Sequence, residues 1–187
     1  MGTKITTQID DKITSGIIVE CEAYKAPEDR ASHAYNFCRT PRNELMYAPP
    51  GTAYIYICYG IHTLFNIVTG PENIPHAILI RAFEPLDGID IMLERRKLKK
   101  FHPQVTSGPG CVSRALGIQM THNGIDLTEA SNKIWLENSE KLIADQDIVS
   151  SPRIGVESSG ESSLLHYRFT LRNSPFLSAK SFTKRFY

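Results

Sequence analysis

Hydrophobic and polar positions change rhythm several times along this chain, and each change marks an element. Near the N-terminus, "ITTQIDDKITSG" is strand-like on both sides of a polar "DDK" that suits a hairpin turn. "IIVECEAY" follows as a strand carrying two glutamates two positions apart. "GTAYIYICYGIHTLFNIVTG" holds two runs of β-branched and aromatic residues bounded by glycine, with the chain turning beside Tyr59 and Gly60, and "PHAILIRAF" predicts one more strand. A longer period sets in at "PLDGIDIMLERRKL", where Ile89, Met92 and Leu93 give an apolar side and Arg95 and Arg96 a basic one, and at "GPGCVSRALGI", where a helix is expected to start at or after Gly110. The Pro- and Asp-punctuated stretch between strands predicts a short helix over residues 29–35 and another after Thr40. Residues 137–160 are polar and serine-rich, expected as loop around "PRIGV", and "LLHYRFTLRNSPFLS" alternates like a strand. With no internal repeat, this order predicts an α+β fold on a mainly antiparallel sheet.

Length and composition narrow the picture. At 187 residues and 41% hydrophobic content the chain suits one domain over residues 1–187. Twenty-one basic residues against 20 acidic ones exclude a strong overall attraction for polyanions, so any such binding must come from local clusters. These are Arg95, Arg96, Lys97, Lys99 and Lys100; Arg39 with Arg42; and Lys180, Lys184 and Arg185, each read on its own as a solvated face. Cys21, Cys38, Cys58 and Cys111 form no CxxC pair and no short Cys/His spacing, so neither a zinc site nor a disulfide framework is indicated, and no metal or cofactor is expected. The N-terminus lacks an apolar targeting core, and no apolar run approaches the roughly 18 residues of a membrane span. A soluble, cytoplasmic protein is expected, nucleoid-associated if the source is bacterial.

Candidate chemistry starts with the glutamates. Simple alternation puts Ile17, Val19, Cys21 and Ala23 on one face of the strand and Ile18, Glu20, Glu22 and Tyr24 on the other. Such a pair fits the wet side of a half-buried strand, or the acid and nucleophile of a carbohydrate glycoside hydrolase. Tyr59 adds a different signal, because a large ring at a hairpin tip lies where no core covers it and is placed to insert into something. Aromatic faces for a planar base, a nearby carboxylate and a wedge for the vacated stack are the parts needed to act on a nucleotide taken out of a duplex.

At this point the residues resemble a known family. "IVECEAY", "PEDRASHAY", "RTPRNELMY", "PPGTAYIYICYGIHTLFNIVTG", "AILIRAFEPLDG", "SGPGCVSRALGI" and "PRIGV", in order over nearly the whole chain, are similar to the alkyladenine (3-methyladenine) DNA glycosylase family. The resemblance implies a single α+β domain with a curved sheet, flanking helices and a protruding, DNA-inserting β-hairpin. It implies a monofunctional hydrolase, a monomer, that flips 3-methyladenine, 7-methylguanine or hypoxanthine out of duplex DNA and cleaves the bond between base and sugar. By position, Glu22 matches the general base that activates water, Arg81 a residue that helps hold that water, and Ile154 the position whose backbone carbonyl also binds it. Tyr24, His33 and Tyr56 match the rings that sandwich the base, with His33 also reaching the sugar-phosphate side. Tyr59 matches the intercalating residue, and Asn66 one that disfavours normal guanine through its exocyclic amine. Glu20 is expected to be supporting or solvated.

The chain departs from the family in starting late, since members usually carry a helix and a further strand segment before the position of Gly2, and in having Asn173 where glycine is common. Two rival readings stand beside the resemblance. A nonenzymatic nucleic-acid binder would not need Glu22 with Arg81, and a sugar hydrolase using Glu20 and Glu22 would not explain Tyr59.

Overall fold

One long strand organises the molecule. The computed structural model describes residues 1–139 and 143–178. In it β2 (Lys12–Lys25) is paired along nearly all of its 14 residues, with neighbours on both sides at Gly16, Ile17 and Glu20 to Glu22. β1 (Lys4–Ile9) folds back on its first half through a two-residue turn whose central residues, Asp10 and Asp11, both have positive φ (55° and 57°). This is the hairpin geometry that matches strand twist, and aspartate tolerates it.

On the opposite edge β2 pairs with β5 (His76–Pro85), which continues to β4 (His62–Val68) and β3 (Ala53–Cys58). β6 (Ile134–Glu137) extends the sheet beyond β1. A short arm, β7 (Ile148–Ser151) with β8 (Arg168–Leu171), joins the second half of β2 at Glu20–Glu22. Every pairing is antiparallel, and β2 changes partner along its length, so the sheet curls. Helices α1 (Ile89–Arg96) and α2 (Pro109–Leu116) cover one face, where Met92, Val112 and Leu116 pack with Ile5, Phe65, Ile80 and Phe83. The α+β class with a curved antiparallel sheet is therefore the observed one. No helix among the described residues is long and apolar enough to cross a membrane.

Several local expectations need correction. α2 begins at Pro109 rather than at or after Gly110, as the ring's fixed φ and missing N–H suit a first helical position. No α-helix forms over residues 29–35, where only a 3-10 turn, Tyr35–Phe37, begins at the end. The Asp29 carboxylate accepts from the amides of Lys25 and Ala31, and Ser32 Oγ from that of Ala34, so side chains compete for the N–H groups a helix would use. After Thr40 the chain makes a 3-10 turn at Glu44–Tyr47 instead of an α-helix. The polar stretch expected as loop contributes β7, and Asn173 sits at φ 60°, where asparagine is tolerated in place of glycine.

The basic cluster on α1 is not simply a solvated face. Arg95 Nη1 donates to the Ala115 carbonyl at 3.1 Å and Arg96 Nε to the Val105 carbonyl at 3.1 Å, tying α1 to the segment around α2. The Lys180, Lys184 and Arg185 cluster lies outside the described residues.

The face assignment along β2 also changes. The register skips Val19 on β2 and Arg81 on β5, where Ile18 pairs with Phe83, Glu20 with Ala82, and Cys21 with Ile80. This double irregularity breaks the strict alternation: Ile18 and Cys21, three apart, enter the main core, while Val19 packs with Ala82 and Phe176.

Gly16, just before it, lies where a Cβ would collide with the Phe83 ring and the Glu84 carbonyl. Replacing Gly16 with Ala is expected to lower stability by about 1–3 kcal/mol, the usual range for overpacking, measured as a shift of the urea midpoint without a change of slope.

Candidate active site

The strand register places the site in one row. Tyr54 pairs with Asn66, Asn66 with Leu79, Leu79 with Glu22 and Glu22 with Arg168, so five strands line up side chains across the sheet. Two groups of residues assemble around this row.

The first group lines a cavity of about 340 Å³, at the small end of the ~300–1,000 Å³ typical of ligand pockets. Tyr24, His33, Tyr56, Tyr59 and Asn66 all contribute, so the structure brings together the four residues expected around the base and the expected intercalating residue, Tyr59. His33 meets Tyr56 edge-on with ring centroids 4.6 Å apart, and its Nδ1 hydrogen-bonds the Tyr54 hydroxyl at 2.8 Å. Burial, with the Arg42 charge adding to it, holds the His33 pKa below its ordinary value, so the ring is neutral at pH 7 and does not repel a cation. Burial pushes the Tyr54 phenol up to about 12, keeping its proton on. Asn66 is fixed by donating from Nδ2 to the Tyr54 carbonyl at 3.0 Å, a bond to the neighbouring strand rather than to its own backbone.

The second group does not line the cavity. Glu22 and Glu20 are both 0% exposed, which overturns the wet-face reading. Glu22 Oε1 accepts the Ile154 backbone N–H at 2.8 Å, and Oε2 accepts the Tyr24 hydroxyl at 3.0 Å and Arg81 Nη1 at 3.2 Å. Glu22, Arg81 and Ile154 are thus brought together, with Ile154 presenting its amide to the carboxylate. Burial and the nearby Glu22 charge raise the Tyr24 pKa well above its ordinary value, so the phenol stays a donor.

Glu20 proves supporting. It accepts from Arg81 Nε (3.1 Å), Arg168 Nε (2.9 Å) and the Ser178 hydroxyl (2.6 Å) and amide. Arg81 therefore bridges the two glutamates. A sugar-hydrolase pair loses its basis, because the Glu20 oxygens are already engaged with three residues in the interior.

Tyr59 stands at the tip of the β3–β4 hairpin, 89% exposed, with Ile61 at 76%. Tyr59 and Gly60 both have positive φ, 51° and 72°, and the Ile61 N–H donates to the Cys58 carbonyl at 3.2 Å. This conformation, at the first two positions of a three-residue loop between Cys58 and His62, is ordinary for glycine but strained for a bulky ring.

Reading residue types alone missed further members. Arg42 lines the cavity with its guanidinium carbon 5.7 Å from the Tyr56 ring centroid. Tyr54, Met46 and Arg153 were likewise unassigned, although each falls within a stretch that carries the resemblance.

The match to a family model settles the relationship, since the model described as methylpurine-DNA glycosylase covers residues 1–175. The chain belongs to this family. Similar proteins provisionally named 3-methyladenine DNA glycosylase include one from Chlamydia felis, 48% identical over 172 residues that make up 91% of this chain and 86% of the relative. One from Chlamydia pneumoniae is 44% identical over 172 residues, covering 91% of this chain and 85% of its own. One from Bacillus cereus is 40% identical over 186 residues, covering 96% and 91%.

In this member of the family the buried network has a measurable signature. Burial alone would raise the Glu20 pKa, but the Ser178 hydrogen bonds and the Arg168 and Arg81 charges outweigh it and hold it below the ordinary 4.5. A depressed carboxylate adds stability that is fully present above the unfolded pKa and lost as pH falls through the folded one. Glu20→Gln is expected to lower stability by roughly 3–5 kcal/mol at pH 7, as for removal of one partner of a buried pair. The gap should close as pH falls below the ordinary carboxylate range, because protonated Glu20 then resembles glutamine. Thermal melts of both proteins at pH 7 and pH 3 check this, and a gap of constant size contradicts it.

Proposed function

We propose that this chain is a monofunctional DNA glycosylase that takes alkylated or deaminated purines, such as 3-methyladenine, 7-methylguanine and hypoxanthine, out of duplex DNA and hydrolyses the N-glycosidic bond with a water activated by Glu22. The observation that carries the reading is the double placement of Tyr24, whose side chain belongs to the cavity lining and whose hydroxyl bonds Glu22. A base held against that ring has its sugar within reach of the buried carboxylate. Family membership and the provisional names of the relatives support the same chemistry.

In this scheme Tyr24, His33 and Tyr56 sandwich the extruded base. A purine alkylated at N3 or N7 is cationic and gains on the order of 0.5–2 kcal/mol per aromatic face, an attraction that a normal purine lacks. Asn66, immobilised by Tyr54, meets the exocyclic amine of normal guanine and disfavours it. Oε1 of Glu22 accepts one backbone N–H, leaving an acceptor position for a water. Arg81 and the Ile154 carbonyl help hold that water. Its oxygen bonds to the anomeric carbon, its proton passes to Glu22, and the electron pair of the broken C–N bond leaves on the base. A cationic base departs neutral, so no strong general acid is needed for it.

Tyr59 fills the stack that the base vacates. Its exposure, with Ile57 and Ile61 beside it, supports that role, because three exposed apolar residues on one hairpin are otherwise hard to account for. The partner is duplex DNA, and the enzyme acts as a monomer.

Duplex DNA with one 7-methylguanine or hypoxanthine, incubated with the protein and then treated with hot alkali, should break at the lesion. Glu22→Gln should slow single-turnover cleavage by about 100- to 10,000-fold, the range for loss of a general base, while gel-shift affinity survives. Intact strands with the wild-type protein, or an unimpaired Glu22→Gln, contradict the proposal. Tyr59→Ala should impair cleavage of a well-paired duplex more than of a single strand, since the unstacking that a wedge offsets costs a few kcal/mol only in the duplex. Borohydride should trap no protein-DNA adduct, because a carboxylate base forms no Schiff base.

A further inference from the structure

Immediately before Ile154 lies a buried arginine to which the scheme above gives no task. Arg153 is 2% exposed and does not line the cavity. Its four terminal N–H groups are all engaged. Nη1 donates to the Ala23 carbonyl at 2.8 Å and to Asp29 Oδ2, and Nη2 to Asp29 Oδ1 at 2.7 Å and to the Ser162 carbonyl at 3.0 Å. The guanidinium carbon is 4.7 Å from the Tyr24 ring centroid and 5.3 Å from that of Tyr167. One side chain therefore joins β2, the turn that follows it and the segment around Ser162, and stacks on a ring of the cavity.

We propose that Arg153, held by Asp29, is a positioning residue for base excision: it backs the Tyr24 ring and fixes the Ile154 N–H against Glu22. The inference rests on the glycosylase reading above. Tyr24 must hold two relations together, a ring orientation that receives the base and a hydroxyl 3.0 Å from Glu22 Oε2. A guanidinium stacked on the ring and bonded to the carbonyl of the preceding residue, Ala23, restricts both. Ile154 is the next residue after Arg153, so anchoring Arg153 to three segments fixes where its neighbour's N–H points, 2.8 Å from Glu22 Oε1. Bidentate pairing with Asp29 neutralises the buried charge and defines the plane of the fork, which a lysine cannot reproduce. Nε is buried without a hydrogen-bond partner, and well-packed apolar residues often replace a buried ion pair without loss of stability, so the engagement of all four terminal N–H groups points to geometry as what the fork supplies.

The test uses Arg153→Lys and, separately, Asp29→Asn in the full chain. Each is measured by single-turnover cleavage at saturating enzyme on duplex DNA with one 7-methylguanine, by gel-shift affinity for that duplex, and in a Tyr24→Ala background. The single-turnover rate constant is expected to fall about 10- to 100-fold, the scale for displacing a site by about 1 Å, and affinity about 3- to 10-fold. In the Tyr24→Ala background the affinity loss should vanish, because its route through the ring is gone, while the rate loss through Ile154 persists. A side chain that serves only folding lowers the melting temperature and the fraction of active molecules but leaves the rate constant of the active ones unchanged. That result, or losses that are fully additive with Tyr24→Ala in both measurements, overturns the proposal. So does failure of both variants to fold, since Arg153 then serves the fold rather than the site. A wild-type protein that releases no base, or one indifferent to Glu22→Gln, defeats the glycosylase reading instead; with both intact, an unchanged rate constant defeats the clamp alone.

Discussion

Two carboxylates two positions apart on one strand face lie roughly 6–7 Å apart at the backbone and, at an effective dielectric constant near 20, repel each other by about 2–3 kcal/mol even before burial is counted. In this protein both are fully buried. The guanidinium of Arg81, bonded to Glu20 on one side and Glu22 on the other, is the interaction that makes that arrangement tenable. Arg168 supplies a second positive charge at Glu20. With two arginines against two glutamates, the interior of the curled sheet is electrically balanced, and Glu22 can stay in the interior beside a cavity lined by aromatic rings.

The backbone irregularity shared by β2 and β5 serves the same end. Arg81 is the residue left out of the register on β5, and a bulge is a common way to re-aim one side chain without ending a strand. The curl at this point also opens a place on β2 for β8, which delivers Arg168. Charge balance and sheet curvature are thus two aspects of one local arrangement.

Much of this was legible in the residue pattern. Strands β1 to β5 and β8, the hairpin at Tyr59 and the two helices follow from periodicity and glycine placement, whereas β6 and β7 do not, and the ordered motifs pointed to the residues that meet in the cavity and at Glu22. What could not be read has an identifiable physical origin. A bulge is a matter of register between strands, so alternation along β2 alone gave the wrong faces to Ile18 and Val19. Glu20 looked the same as a solvated glutamate because its partners Arg168 and Ser178 are 148 and 158 positions away along the chain. Asp29 suggested a helix start because nothing local reveals that its carboxylate is reserved for Arg153, 124 positions on.

On the reading proposed above, the turn at Tyr59 and Gly60 sets the terms on which the protein meets DNA. A hairpin already bent, with its ring already in solvent, needs little ordering when it touches a duplex, so little conformational entropy is lost by the protein on contact. The free energy of each encounter is then governed by how readily the duplex gives way. On that reading a pre-bent finger is a gauge of base-pair strength, to which weakly stacked or mispaired sites yield before any pocket has inspected the base.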